Sequence, residues 1–237
     1  MVRWKRLAPA PLAAAARRVR ARLLRRSPET TPAASQAEPA VRSREELHAY
    51  WRDPDAVNRP EDYTLPVERS AFLTQLLARY GGPSDRVLEI GSNVGRNLKH
   101  LRRAGYGHLE GIEISSSAIE AMQASYPGLA GSVTMHNAPV EDVIRTFDDS
   151  SFDVVFTMAV LEHLHPESEW VFAEMVRICR GVLVTIEDER GRSWRHVPRN
   201  YRTVFEALGV RQLDEIDPAG AGGLTPNFRA RVFACRP

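Results

Sequence analysis

Cysteine is nearly absent: Cys179 and Cys235 are the only two in 237 residues. They have neither metal-ligand spacing nor the pattern of a disulfide framework. That excludes a disulfide-stapled secreted fold and a structural zinc module, and it suits a reducing, cytoplasmic setting. Long apolar runs are missing too. The alanine-rich stretch from Ala8 to Ala16 is too short to span a bilayer, and Arg17 and Arg18 follow it where a cleavage site would stand. No internal repeat is visible, which excludes solenoids and propellers.

Charge is balanced overall, at +2, but unevenly placed. Residues 1–42 hold ten Lys/Arg against two acids, so the rest of the chain carries a net −6. The asymmetry reads as an appended basic arm on an acidic domain rather than a nucleic-acid-binding fold. Within the arm, Leu12, Ala16, Val19 and Leu23 follow helical spacing between arginines, a thin stripe suited to weak contact with an anionic membrane surface or a partner. The Pro/Ala/Ser/Thr-rich stretch from Ser27 to Ala40 reads as linker, and disorder is the expected state of the whole arm. We therefore divide the chain into an arm, 1–42, and a domain, 43–237, whose first forty residues, to about 83, form a helical cover. Its helices are expected over Glu45–Trp51 and Pro66–Tyr80, with Pro54–Pro60 as a loop.

The domain alternates apolar strands with helical periods, the pattern of an α/β sheet with helices on both faces. Strands are expected near 86–90, 108–112, 132–136, 152–158, 181–187, 210–216 and 227–235. Helices are expected near 95–104, 116–125, 139–146, 167–180 and 199–208. The richest stretch is Val87-Leu88-Glu89-Ile90-Gly91-Ser92-Asn93-Val94-Gly95-Arg96-Asn97, a buried strand, a glycine-bearing turn and a helix start. A turn there lies at the carboxyl end of a strand, where open α/β sheets bind ligands. Gly91 and Gly95 are read as sites of close backbone approach to a ligand. The turn is not a phosphate-gripping P-loop, because Gly95 is followed by Arg96-Asn97 instead of Lys-Ser/Thr. Nor is it the dinucleotide fingerprint, which would need glycine where Asn93 and Arg96 stand.

What remains is Glu-x-Gly-x-x-x-Gly, followed about twenty residues later by Gly111-Ile112-Glu113-Ile114, and then by Phe152-Asp153-Val154-Val155 running to Leu161-Glu162-His163-Leu164. In this order the three segments resemble the class I S-adenosylmethionine-dependent methyltransferases of the small-molecule branch, over a span from about Arg86 to Phe233. Asn93 departs from the family's middle glycine. The resemblance implies a Rossmann-like sheet of seven strands, mostly parallel with an antiparallel last strand, and S-adenosylmethionine as methyl donor. It places Glu89, Gly91, Ser92, Asn93 and Gly95 against the methionine end, Glu113 and Ile114 at the ribose, Asn137 and Ala138 at the adenine, and Met158 beside the sulfonium. Arg96 is read either as an aid to the donor carboxylate or as a solvated helix charge.

Candidates for removing a proton from the acceptor are Glu162, His163, His165, Glu187, Asp188 and His196. Position favours His163, then His196. The polar and aromatic run after the fifth strand reads as the acceptor pocket, with Glu162, Glu187, Trp194, Arg195, Arg199 and Tyr201 as contacts; Trp194 offers a platform, and Arg195 and Arg199 an anion site. Tyr50, Trp51 and Tyr63 are read as a lid. Some O-methyltransferases hold a divalent ion with Glu-x-x-Glu-His and a later histidine. Here Ala159 takes the first Glu position, and the loss of that carboxylate argues against a metal.

The expected activity is methyl transfer to a small-molecule acceptor, oxygen favoured. The alternative is a non-catalytic scaffold that keeps the donor pocket and is tethered through its basic arm. A nucleic-acid substrate is disfavoured by the acidic domain and by the absence of an Asn/Asp-Pro-Pro-Tyr motif or a Pro-Cys pair. The sequence leaves the oligomeric state undetermined.

Overall fold

The computed structural model describes residues 40–54 and 58–236. The basic arm, with its expected disorder and membrane-surface contact, lies outside the described residues except for its last three. No helix among the described residues is long and apolar enough to cross a membrane.

Ser43 opens the first helix, α1 (Arg44–Arg52): its hydroxyl accepts from the Glu46 amide at 3.3 Å while the Glu46 carboxylate accepts from the Ser43 amide at 3.0 Å. Such a reciprocal capping box contributes about 1 kcal/mol. The expected loop before α2 (Val67–Leu77) contains a 3₁₀ turn, Pro60–Thr64. Helix α2 is not part of the cover: Leu73, Leu76 and Leu77 are buried in the core under the sheet.

The remaining elements are β1 (Arg86–Ile90), α3 (Arg96–Arg103), β2 (His108–Glu113), α4 (Ser116–Ser125), α5 (Pro127–Ala130), β3 (Thr134–Asn137), α6 (Val140–Val143), β4 (Phe152–Met158), α7 (Trp170–Ile178), β5 (Cys179–Asp188), α8 (Tyr201–Ala207), β6 (Arg211–Ile216) and β7 (Phe228–Ala234). The seven strands form one sheet in the order β3-β2-β1-β4-β5-β7-β6. Pairing is parallel from β3 across to β5, and β7 runs antiparallel to both its neighbours. Buried side chains on the two faces form separate apolar layers. One gathers Leu98, Met122 and Phe156 with α2, the other Phe172, Tyr201 and Phe233. Val87, Leu88 and Ile90 are all but fully buried, as a central parallel strand covered on both faces requires.

Two helices are shorter than their periodicity implies. The stretch expected as one helix over 167–180 has a 3₁₀ turn at Pro166–Ser168 and then α7, because β5 starts at Cys179, paired with Phe152. Beside that start the β4–β5 register shifts, and a Cβ on Gly181 would lie 2.5 Å from the Asp153 carbonyl oxygen, so only glycine fits. Helix α6 likewise gives way to a 3₁₀ turn at Ile144–Thr146.

Candidate functional site

A cavity of about 330 Å³ opens at the carboxyl ends of β1, β2 and β4. It lies where the sheet order reverses between β1 and β4, the general position of ligand sites in such sheets.

One wall is the turn from β1 to α3. The Gly91 and Ser92 amides donate to the Ile112 carbonyl at 2.8 and 3.1 Å, tying the turn to β2. Asn93 has φ 47°, in the left-handed region that asparagine tolerates better than most residues, and its side-chain oxygen accepts from the Val94 amide at 2.8 Å. Its own amide donates to Glu113 Oε2 at 2.7 Å, and the Ser115 amide donates to Glu113 Oε1 at 2.8 Å. Burial raises the pKa of the Glu113 carboxyl, and these amides oppose the rise. Each carboxyl oxygen keeps a second lone pair for a ligand.

The glycines of this turn are also required by packing, and Gly91 lines the cavity as well. A Cβ on Gly91, at φ 74°, would lie 2.4 Å from a Val160 methyl, and one on Gly95, at φ 65°, would lie 2.7 Å from the Met122 sulfur. Both positions need positive φ and a missing side chain, on faces turned to neighbouring residues.

Below the turn lies a buried polar chain. Glu89 is 1% exposed. Its Oε1 accepts from Asn97 Nδ2 at 2.7 Å and its Oε2 has no partner. Burial pushes this carboxyl up to about 8, against the Asn97 hydrogen bond and the Arg96 charge. Ser70 Oγ donates to Asn97 Oδ1 at 2.6 Å and accepts from Arg96 Nε at 2.9 Å. Arg96 Nη1 then donates to the carbonyls of Tyr63 and Leu65 at 3.0 and 3.1 Å. The arginine is therefore a buried clasp between turn and cover, not a solvated helix charge.

The cover is α1 and the segment after it. His48 Nε2 meets Glu141 Oε1 at 3.1 Å, Ser115 Oγ donates to the Arg52 carbonyl at 3.1 Å, and the Arg42 amide donates to the Trp194 carbonyl at 3.0 Å. Burial would raise the Glu141 carboxyl, but its bonds from His48 and Ser168 hold it below its ordinary value. Trp51 and Tyr63 line the cavity, while Tyr50 packs edge-on against Trp51 and Trp194.

The side facing β4 brings together Met158, Ala159, Glu162, His163, Arg195 and His196. Two elements converge here, the 3₁₀ turn Leu161–His163 after β4 and the loop after β5. Glu162 Oε2 accepts from the Asp188 amide at 2.5 Å. His163 Nδ1 lies 2.8 Å from the Arg195 carbonyl oxygen; a carbonyl only accepts, so Nδ1 carries the proton. The His163 ring packs against Trp51 and His196, each with centroids 4.5 Å away. Burial drives this imidazole down to about 3, opposed by its bond to the Arg195 carbonyl. It stays neutral across the physiological range, and its low basicity makes it a weak proton acceptor. His196 Nδ1 lies 2.7 Å from Ser193 Oγ.

Four expected acceptor contacts do not line the cavity. Arg199 is 7% exposed and donates to the Leu161 and Leu164 carbonyls at 2.9 and 2.8 Å and to Glu169 at 2.9 Å. It braces the turn that carries Glu162 and His163 from behind. Tyr201 is fully buried beside Phe172 and Phe205. Trp194 lies under the Arg42 guanidinium, 4.2 Å from the ring centroid. Glu187 Oε2 accepts from the Val160, Leu161 and Glu162 amides at 2.9, 3.0 and 3.4 Å, while Oε1 has no partner. Burial and the nearby Glu162 charge raise the pKa of this carboxyl well above its ordinary range.

Asn137 also points elsewhere, donating to the Glu113 and Ile114 carbonyls at 2.9 and 3.3 Å, so it fixes the end of β2 while Ala138 reaches the cavity. Asn97, Arg69, His48 and Glu141 line the cavity without having been singled out in the sequence. Only Asn97 left a signal, a polar residue beside Leu98 on the face of α3 that turns inward.

Known proteins agree with this architecture. A family model described as a methyltransferase domain matches residues 88–182. The 2-methyl-6-phytyl-1,4-hydroquinone methyltransferase of Synechocystis is 24% identical over 177 residues, covering 70% of this chain and 53% of that protein. The O-methyltransferase rstn1 of Aspergillus nomiae is 29% identical over 117 residues, 48% of this chain and 49% of its own. The chain thus spans about half the length of these curated relatives. Among solved structures, the 1,6-didemethyltoxoflavin-N1-methyltransferase of Burkholderia thailandensis, with its substrate and S-adenosylhomocysteine bound, superposes with a TM-score of 0.59 at 15% identity, over 80% of this chain and 85% of that one. At that identity the likeness speaks for the fold.

Proposed function

We propose that this chain, which belongs to the class I S-adenosylmethionine-dependent methyltransferases of the small-molecule type, moves the donor's methyl group to an oxygen of a small-molecule acceptor held between the sheet edge and the α1 cover. The observation that carries the reading is the wall of the cavity formed by Glu89 and Glu113. Glu89 Oε2 is a buried carboxyl oxygen without a partner, beside a cavity, and it suits the donor's ammonium group. Glu113 is held by two backbone amides and has lone pairs left for ribose hydroxyls. Gly91, Ser92, Asn93, Gly95, Ile114, Ala138 and Met158 complete the proposed donor site, with Asn137 acting through the backbone it supports.

When bound, the donor supplies a methyl group already activated by its positive sulfur. The chain's own task is alignment and exclusion of water. Trp51, Tyr63 and Leu47 supply an apolar cover, which supports a dry site. The acceptor side is Glu162, His163, Arg195 and His196. Oxygen is favoured because the acceptor side carries polar groups suited to orienting a hydroxyl, and because rstn1 is named for O-methylation. No observation favours a non-catalytic scaffold.

Calorimetry with S-adenosylmethionine and S-adenosylhomocysteine on the full-length chain tests the donor site. Turnover of labelled donor against a panel of phenols, quinols and hydroxy acids tests the transfer. Failure of the folded protein to bind either donor form overturns the reading.

A further inference from the structure

We infer that Glu162 Oε1, His163 Nε2 and His196 Nε2 form a three-ligand site for a divalent transition-metal ion, facing the acceptor end of the cavity. One ligand atom from each of the three residues lies within 4.8 Å of those of the other two. Glu162 Oε1 is 3.6 Å from each imidazole nitrogen.

Those two distances bear on whether a metal or a proton joins the groups. If a protonated ring paired with the carboxylate, the charge-assisted hydrogen bond would draw the atoms to about 2.7–2.9 Å. At 3.6 Å neither contact is a hydrogen bond. Ligands of a tetrahedral ion with bonds of about 2.0–2.2 Å stand roughly 3.3–3.6 Å apart. The two observed distances fall at the upper end of that range.

The tautomer points the same way. His163 gives its Nδ1 proton to the Arg195 carbonyl, so in the neutral ring Nε2 presents a lone pair toward Glu162 Oε1. Two acceptors facing each other across a buried gap repel unless a cation lies between them. His196 is oriented through Nδ1 by the Ser193 hydroxyl, and Glu162 through Oε2 by the Asp188 amide. Every ligand is thus fixed by its second polar atom, the outer-shell arrangement that metal-binding histidines and carboxylates require. Packing of the His163 ring between Trp51 and His196 restricts its motion further.

Two nitrogens and one oxygen select a borderline ion such as Zn²⁺, Mn²⁺, Fe²⁺ or Co²⁺ over Ca²⁺ or Mg²⁺, which take oxygen ligands. The sequence argued against a metal on the ground that Ala159 supplies no carboxylate. The geometry reverses that argument, since three protein ligands with remaining positions open to the cavity make a site that another molecule's oxygen can enter. The role in transfer rests on the function proposed above. An acceptor hydroxyl bound to the ion loses its proton to solvent, its oxygen forms the new bond to the methyl carbon, and the carbon–sulfur electron pair stays on sulfur as the neutral thioether.

The test is metal uptake by full-length protein stripped with a chelator and titrated with Co²⁺ or Zn²⁺ alone. Wild type is expected to take up a single tightly held ion, with Co²⁺ developing a visible spectrum of mixed nitrogen and oxygen ligation. Glu162→Gln and His196→Gln are each expected to weaken uptake at least about tenfold. Circular dichroism verifies that each variant is folded, and His196 lies on a loop where the change leaves the core intact. No uptake by wild type, or uptake unchanged in both folded variants, overturns the site. Donor calorimetry on the same stripped protein separates the two proposals: donor binding without metal uptake sinks the metal site alone, and metal uptake without donor binding sinks the methyl-transfer reading alone.

Discussion

Asn97 Nδ2 holds one oxygen of Glu89 at 2.7 Å, and the other oxygen of the same carboxyl has nothing to bind. One half of the group is fixed by the first turn of α3. The other is buried and unsatisfied, which is costly unless the group is neutral or a cation arrives.

Donor affinity is therefore expected to depend on pH. In the empty protein the Glu89 carboxyl keeps its proton up to about 8. Binding an ammonium group favours the carboxylate and releases that proton, so the Glu89 contribution to affinity rises with pH, by at most about tenfold per unit, and levels off above 8. Between its ordinary value of 4.5 and about 8 the folded protein holds a proton that the unfolded chain has lost. The same group therefore makes the empty protein more stable below that window and loses its contribution as pH rises through it. Calorimetry over a pH series checks both signs, and Glu89→Gln should flatten the affinity profile.

Glu113→Ala removes the acceptor of two backbone amides, those of Asn93 and Ser115. Leaving these donors unsatisfied costs about 1–3 kcal/mol each at most, so urea denaturation should show a clear loss of stability. Donor binding should fall at least about tenfold, the larger effect for a group that meets the ligand directly.

Arg199→Ala distinguishes a brace from an acceptor contact. The substitution strips the Leu161 and Leu164 carbonyls of a charged donor and is expected to destabilise the protein by about 3 kcal/mol, read as a lowered denaturation midpoint. Inorganic phosphate or benzoate added to the folded variant should leave the spectrum and stability shift the same as in wild type, whereas an anion site would lose the shift.

Gly91→Ala combines φ 74° with a Cβ placed 2.4 Å from a Val160 methyl. A loss of about 2–4 kcal/mol is expected from strain and overlap. In a Val160→Ala background only the strain should remain. A double-mutant cycle should therefore give a favourable coupling of at least about 1 kcal/mol, and additive losses would show that the overlap is not the cause.

The architecture was legible because parallel strands buried on both faces leave near-continuous apolar runs, as Val154 to Phe156 does throughout and Val87 to Ile90 and Val182 to Ile186 do but for Glu89 and Thr185. The order of motifs also picked out Glu89, Asn93 and Glu113, which the fold brings to one wall of the cavity. The loop after β5 was harder to read. Arg195 and Arg199 have the same chemistry and lie four residues apart, yet one reaches the cavity and the other turns back to bond carbonyls of the preceding turn. Nothing local separates them, since the partners of Arg199 lie thirty or more residues away. The same holds for Glu187, whose role as acceptor for three amides depends on where β4 ends. The closeness of His196 to Glu162 is equally a product of sheet geometry, because the two belong to different connections at one strand edge.

Arg96 gives its guanidinium to Ser70 on α2 and to the carbonyls of Tyr63 and Leu65 in the cover. Lifting that margin would strand a buried cation, so the Pro60–Thr64 turn is latched to the strand-turn-helix beneath it. The Trp51 side is held by the His48–Glu141 pair, by single hydrogen bonds and by the Arg195 guanidinium over the Tyr50 and Trp51 rings, with no cation among the described residues given to backbone carbonyls as Arg96 is. Of the two edges of the cover, the one Arg96 fastens is thus the fixed one, and any widening of the cavity for a larger molecule is expected on the α1 side.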